Sequence, residues 1–210
     1  MKKLTEQLIF PDYSETDKFG IIAYGGDLSV ERLKLAYQKG IFPWFNENEP
    51  ILWWFPDPRF VLFPKELKVS KSMKKILRDE VFQFTENQCF EDVIFNCRKI
   101  KRPGQKGSWI TDEMMNAYIR LHELGIAKSV EVWQNDKLVG GFYGIQINKI
   151  FCGESMFTKV SNASKAGFIY FVSKYSTQFE LIDCQVYTEH LESLGAKEIS
   201  ADEFLSYLNP

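Results

Sequence analysis

Asp183 and Gln185 stand two apart in LIDCQV, residues 181–186. The Leu, Ile, Cys and Val of that segment read as a β-strand. In a strand, residues two apart share a face, so the carboxylate and the amide point one way and Ile182, Cys184 and Val186 the other. Such a polar pair among apolar neighbours is costly to bury without partners. It belongs at a cleft or in a buried polar network, and the residues alone leave both open. Glu154 lies in FCGESMF, residues 151–157, which is also strand-like. Alternation sets it on the side of Met156, an acid beside soft apolar surface. It is either a working carboxylate or one held by backbone amides. Phe168, Phe171 and Tyr175 recur at i, i+3 and i+7 of a helix-like stretch. An aromatic stripe at that spacing is ordinarily core. It can also floor a pocket walled by Phe142, Phe151 and Met156. Three polar groups around an apolar pocket suit group transfer better than plain binding.

A second constellation is electrostatic. Lys71, Lys74, Lys75 and Arg78 sit at i, i+3, i+4 and i+7, one face of a helix capped by Ser70. Residues 65–78 hold six Lys or Arg against Glu66 alone, and Arg98 to Lys106 adds five with no acid. The whole chain nevertheless has a net charge of −2. Charge segregated in this way suggests a polyanion partner and excludes a uniformly basic coat. Other chemistries find no support. Gly140, Gly141 and Gly144 lie between strand-like residues instead of opening a helix, so they do not make a phosphate loop. No GxSxG elbow is present. The four cysteines show no CxxC and the two histidines are far apart, so no metal is expected. The start, MKKLTEQLIF, lacks a long apolar core, and no stretch approaches the ~20 apolar residues of a membrane span. A cytoplasmic protein with free thiols is expected.

These residues need a frame. Apolar residues at 45 % and charged residues at 26 % are globular values, which excludes a disordered chain. The 210 residues suffice for a large domain with a small annex. Six of the eight prolines fall in residues 1–64, which also contain one clear helix, capped by Asp27 or Ser29 and ended by Gly40. The Trp- and Pro-rich run ILWWFPDPRFVLF is not expected to form a central strand. Residues 1–64 therefore read as a small irregular N-terminal domain and 65–210 as the larger domain. In the latter, a helix follows Ser70 and another runs from Thr111 to Gly125. SVEVWQNDKLVGGFYGIQINKIFCGESMF reads as a three-stranded antiparallel meander turning at Asn135-Asp136 and Asn148-Lys149. Then come a helix over Ser164–Tyr175, the strand LIDCQVY and a short helix around Glu189–Leu194.

The segments AYGGDLS, AYQKGIFPWF, ILWWFPDPR, SKSMKKI, GSWIT, AYIRLHELGIAKSVEVW, LVGGFYG, FCGESMF, NASK and LIDCQV follow one another over residues 23–186. In that order they resemble the leucyl/phenylalanyl-tRNA–protein transferases. The resemblance implies transfer of Leu or Phe from aminoacyl-tRNA to proteins with N-terminal Arg or Lys, and an apolar pocket that separates similar side chains weakly would admit Met too. The product is an N-degron destined for proteolysis. It implies an α+β fold, with a small N-terminal domain beside a GNAT-like acyltransferase domain whose sheet is mixed and mainly antiparallel. It implies no metal and no diffusible cofactor; a monomer is the expectation. Its aminoacyl pocket maps onto Phe142, Phe151, Met156, Phe168, Phe171 and Tyr175, with Ile182 nearby. Trp44 and Trp109 map onto contacts to the terminal adenosine and acyl group, with Tyr118 near them. Asp183 and Gln185 map onto the catalytic pair beside Glu154, and Lys71, Lys74, Lys75 and Arg78 onto the helix that meets the tRNA acceptor stem. The family typically has Met at Phe142 and often a smaller aliphatic at Phe168, so this pocket is expected to be tighter. No role carries over to Thr188, where the family often has Asn.

The implied reaction is aminolysis of an activated ester. An α-amine with a pKa of about 7.7–8.0 is partly free base at neutral pH, so positioning can supply much of the rate. Asp183 is the expected orienter and proton acceptor for the amine. Gln185, an amide, can only hydrogen-bond the amine or the oxyanion. A CoA-dependent N-acyltransferase of the same fold is the alternative, although no Q/R-x-x-G-x-G/A loop precedes the Ser164 helix. A non-catalytic RNA-binding module would use the basic face and the tryptophans without Asp183, Gln185 and Glu154.

Overall fold

The computed structural model describes residues 1–100 and 108–208. Most of the second basic run, 101–106, lies outside them. The first part of the chain builds a small sheet. Its strands are β1 (Lys2–Leu4), β2 (Ile21–Gly25), β3 (Phe42–Pro43) and β4 (Leu52–Trp54), in the order β1-β2-β4-β3. Between β2 and β3 runs α1 (Val30–Gln38), whose first turn is capped by the Ser29 hydroxyl accepting from Arg32 N–H. Gly40 follows it with φ +71°, as a helix-ending glycine requires.

The next strand, β5 (Arg59–Leu62), departs from expectation. It leaves the irregular Pro-rich run and enters the large sheet, where it pairs antiparallel with two later strands. Pro56 and Pro58 precede the paired residues, so no ladder N–H is lost. After β5 come α2 (Lys71–Arg78), β6 (Gln83–Glu86), α3 (Phe90–Lys99) and α4 (Asp112–Glu123). The Ser70 hydroxyl caps α2 as expected, and of Thr111 and Asp112, the two candidates for the start of α4, Thr111 is its cap. The meander is β7 (Ala127–Gln134), β8 (Lys137–Ile147) and β9 (Ile150–Thr158), turned through Asn135, Asp136 and Asn148, all at positive φ. The chain closes with α5 (Ala163–Lys174), β10 (Leu181–Gln185), α6 (Glu189–Glu192), β11 (Lys197–Ile199) and α7 (Ala201–Leu208). β6, α3, β11 and α7 were not foreseen.

The large sheet has seven strands in the order β11-β5-β10-β9-β8-β7-β6. Only β9–β10 is parallel, so the fold is α+β with a mixed, mainly antiparallel sheet. Helices cover both faces. Side chains of α1, α3, α4 and α7 share one core with Tyr143, Ile145 and Cys152. α5 and Met73 of α2 share the other with Val130, Phe142 and Phe151. Two glycines, Gly140 of β8 and Gly167 of α5, serve this packing. A Cβ on Gly140 would sit 2.8 Å from the Cβ of Ala163, and one on Gly167 2.6 Å from Val132, so α5 can lie directly on the sheet. A separate buried carboxylate, Glu131, is held by the hydroxyls of Thr85 and Ser129 and ties β6 to β7. Among the described residues no helix is long and apolar enough to cross a membrane.

Candidate active site

The site opens where the sheet comes apart. β9 and β10 pair in parallel at Ile150–Leu181, Phe151–Ile182 and Cys152–Asp183, and the pairing stops there. Each strand is irregular just beyond that point. On β9 the register against β8 slips between Tyr143 and Gly144, which leaves Glu154 as a bulged residue. On β10 the register against β5 slips between Asp183 and Gln185, and Gln185 takes φ +66°. Bulges re-aim side chains, and the left-handed region is costly for a residue with a Cβ. Together they defeat the simple alternation expected from sequence. Asp183 and Gln185 engage different carrier strands, Asp183 through Arg59 of β5 and Gln185 through Glu154 of β9.

Asp183 is buried, 1 % exposed, in a forked pair with Arg59 of β5. Arg59 Nε donates to Oδ1 at 2.8 Å and Nη2 to Oδ2 at 2.7 Å. Asp183 Oδ1 also accepts the backbone N–H of Gln185 at 2.9 Å. Gln185 reaches Glu154 instead, its Nε2 donating to Oε1 at 2.9 Å. The other oxygen of Glu154 accepts from the Tyr118 hydroxyl at 3.0 Å. Tyr118 in turn bonds the hydroxyl of Tyr37 from α1. Burial pushes the Glu154 carboxyl up to about 7, with the Asp183 charge adding to it, while the Tyr37 and Tyr118 phenols and the Gln185 amide pull the other way. Burial and the Glu154 charge hold both phenols well above the ordinary tyrosine range, so they remain protonated.

Two concavities meet at Glu154 and Gln185. The larger, about 350 Å³, has walls of Phe142, Met156, Phe168, Ile182 and Trp109, with Asp183 at its edge. The smaller, about 130 Å³, is formed by Phe42, Pro43, Trp44, Trp109 and Val186 with the same Glu154 and Gln185. Trp44 is fixed by Trp54, whose indole N–H donates to the Trp44 carbonyl at 2.6 Å. Phe151 and Phe171 do not line the larger pocket. They stand behind Phe142, with ring centroids 6.1 and 5.5 Å from it. Tyr175 turns away and donates its hydroxyl to Glu86, which Tyr170 and Lys174 also bind. Tyr118 lies beneath Glu154, fully buried. Lys71, Lys74, Lys75 and Arg78 are exposed on α2, where Met73 is buried and Arg78 pairs with its neighbour Asp79.

Sequence reasoning missed Arg59, Tyr37 and His190. Arg59 sat in a segment read as irregular, although a lone Arg before the apolar FVL was the available signal. Tyr37 passed as apolar helix surface. His190 of α6 lines the larger pocket together with Thr188 and Leu191. Its Nε2 is buried without a hydrogen-bond partner among the described residues. Burial and nearby Lys165 lower its pKa, so the ring is neutral at pH 7. Among the described residues no group of three His, Cys, Asp or Glu is placed to hold a metal ion.

The arrangement offers an apolar pocket for an acyl side chain, an aromatic cleft for a planar or stacked group, and a carboxylate near neutrality between them. The model of the leucyl/phenylalanyl-tRNA protein transferase family matches residues 61–209, and that of its N-terminal domain matches residues 26–57. A leucyl/phenylalanyl-tRNA–protein transferase of Flavobacterium johnsoniae is 59 % identical over 99 % of each chain. One from Pectobacterium carotovorum is 52 % identical over 98 % of this chain and 88 % of its own. Likeness to solved structures is faint. A conserved protein of unknown function from Bacteroides thetaiotaomicron superposes with a TM-score of 0.43 at 12 % identity, over 73 % of this chain and 56 % of that one. With both family models matched in order and relatives similar from end to end, this chain belongs to the leucyl/phenylalanyl-tRNA–protein transferase family.

Proposed function

We propose that the protein moves Leu or Phe, and Met, from aminoacyl-tRNA to the α-amine of proteins beginning with Arg or Lys, as a monomer in the cytoplasm. The reading rests above all on the shared wall of the two concavities. The acyl side chain fills the larger pocket, the terminal adenosine stacks in the cleft of Trp44 and Trp109, and the ester between them lies at Glu154 and Gln185. The amine's lone pair attacks the ester carbonyl and a C–N bond forms. The carbonyl π pair moves to oxygen, and the ammonium proton passes to Glu154. Collapse then breaks the C–O bond to the ribose, and the leaving 3′ oxygen takes up a proton, returned by Glu154. An amide carries two N–H donors; one of Gln185's meets Glu154, and the other serves the oxyanion. Asp183, whose carboxylate is forked onto the Arg59 cation, supports Gln185 and leaves the proton transfer to Glu154.

The acyl pocket rejects polar side chains by leaving them unpaired, yet separates similar apolar ones by only ~1–3 kcal/mol. Phe142→Met, which opens room beside Phe168, should raise the Phe:Leu ratio of kcat/KM about five- to tenfold, since ~1.4 kcal/mol is tenfold. Competition between Phe-tRNA and Leu-tRNA reads this directly; an unchanged ratio would exclude Phe142 as a selectivity residue. The exposed lysines of α2 are assigned to tRNA phosphates. Changing Lys71, Lys74 and Lys75 together to Gln should weaken Phe-tRNA and Leu-tRNA equally. It should also flatten the log Kd–log salt slope by about one unit for each phosphate left without its lysine. A filter-binding titration across salt measures both quantities.

The function itself is tested by transfer of radiolabelled Phe and Leu from charged tRNA to a peptide beginning with Arg, against one beginning with Ala. Transfer to the Arg peptide alone is expected. No transfer despite tRNA binding would refute the reading, and acyl-CoA would then be tried as donor.

A further inference from the structure

Arg59 lies outside everything sequence reasoning assigned to the site, yet it touches the site's centre. Its side chain is 1 % exposed and forks onto both oxygens of Asp183. Around its guanidinium lie three rings, one from its own approach segment and two from farther away in the chain. Its Cζ is 5.0 Å from the centroid of Phe42, 5.8 Å from Phe55 and 4.5 Å from Phe204. Its Nη1 has no hydrogen-bond partner among the described residues. An aromatic box can hold such a cation where water cannot reach it.

The consequences run from one side chain to the next. Phe42 begins the wall of the smaller cleft, next to Pro43 and Trp44. Asp183, held by Arg59, accepts the N–H of Gln185. Gln185 is the residue in the left-handed region, and its amide meets Glu154. A bulky residue keeps that backbone conformation only when its surroundings over-determine it. The planar fork of an Arg is rigid in a way an ammonium is not.

We propose that Arg59 is a positioning residue of the transfer reaction. Its forked pair with Asp183 holds Gln185 in the left-handed conformation that presents its amide to Glu154, and its ring neighbours fix that strand against the aromatic cleft. This rests on the function proposed above.

Two variants test it. Arg59→Lys keeps the charge and loses the fork. The double variant R59M/D183N replaces the pair by neutral groups of similar shape and leaves no uncompensated charge. Single-turnover transfer of Phe to an Arg peptide is measured with Phe-tRNA affinity and Tm. Arg59→Lys is expected to bind Phe-tRNA within about twofold of wild type and to transfer at least about tenfold more slowly. The double variant is expected to keep the wild-type Tm and remain equally slow. A crystal structure of the double variant should show Gln185 Nε2 moved out of hydrogen-bond range of Glu154. Either variant, folded and transferring within about twofold of wild type, overturns the proposal; so does an unmoved Gln185 amide. If wild type itself transfers nothing, the reaction was misassigned, and the position of Gln185 in the double variant still decides whether Arg59 sets it.

Discussion

Glu154→Gln should slow single-turnover transfer by about 10²–10⁴-fold, the usual worth of a positioned proton acceptor. The change is nearly isosteric. Gln can still accept from Gln185 or Tyr118, so the pocket survives and only the proton acceptor is lost. The pH profile separates this from a loss of packing. The wild-type carboxyl titrates at about 7 and acts as its anion, so the rate should rise as pH climbs through 7. It should rise again through about 7.7–8.0 as the acceptor's α-amine loses its proton. In Glu154→Gln the lower ionisation should vanish and the upper one remain. Stability should move the other way. A carboxyl whose pKa is raised by folding binds more protons in the native state, so its contribution is present at low pH and fades between the ordinary Glu value and about 7. At pH 8 the variant should therefore melt no lower than wild type. A variant that transfers at the wild-type rate, or that retains the ionisation near 7, would remove Glu154 from the proton path.

Asp183→Ala should cost stability as well as rate. Removing the aspartate strands Arg59 as a buried, uncompensated cation, a change worth about 3–5 kcal/mol. For a chain of this size that is a fall in Tm of roughly 6–20 °C. The exposed Arg98–Asp112 pair is the internal control. Asp112 is 78 % exposed, so Asp112→Ala should melt close to wild type. Asp183→Asn, which can still accept from Gln185 N–H, should be less destabilising than Asp183→Ala. Thermal melts of the three variants rank these effects. Equal melting of Asp183→Ala and wild type would mean that water reaches Arg59.

Much of the frame is legible in the residues because its signals are local. Ser29, Ser70 and Thr111 announce helix starts within three residues of the N–H groups they satisfy. Asn135-Asp136 and Asn148 announce hairpins by tolerating positive φ, and the alternation of β7 to β9 follows. Of the residues singled out from the sequence and its resemblance, Glu154, Gln185, Trp44, Trp109, Phe142, Met156, Phe168 and Ile182 line the two concavities. Their geometry was not legible. Nothing near Arg59 signals that it will pair with a carboxylate 124 positions later, because strand order within a sheet is set by long-range pairing and burial. The same holds for β11, three residues long, which is a strand only because β5 lies beside it. The two bulges decided most. The slipped register at each strand end leaves Asp183 on Arg59 and brings Gln185 to Glu154, partners that strand alternation does not name. The order of residues thus sets which side chains are available and which short elements carry them. Their partners come from the folded chain alone, since a carboxylate's partner depends on which strands lie next to its own, and that is settled by the packing of the whole core.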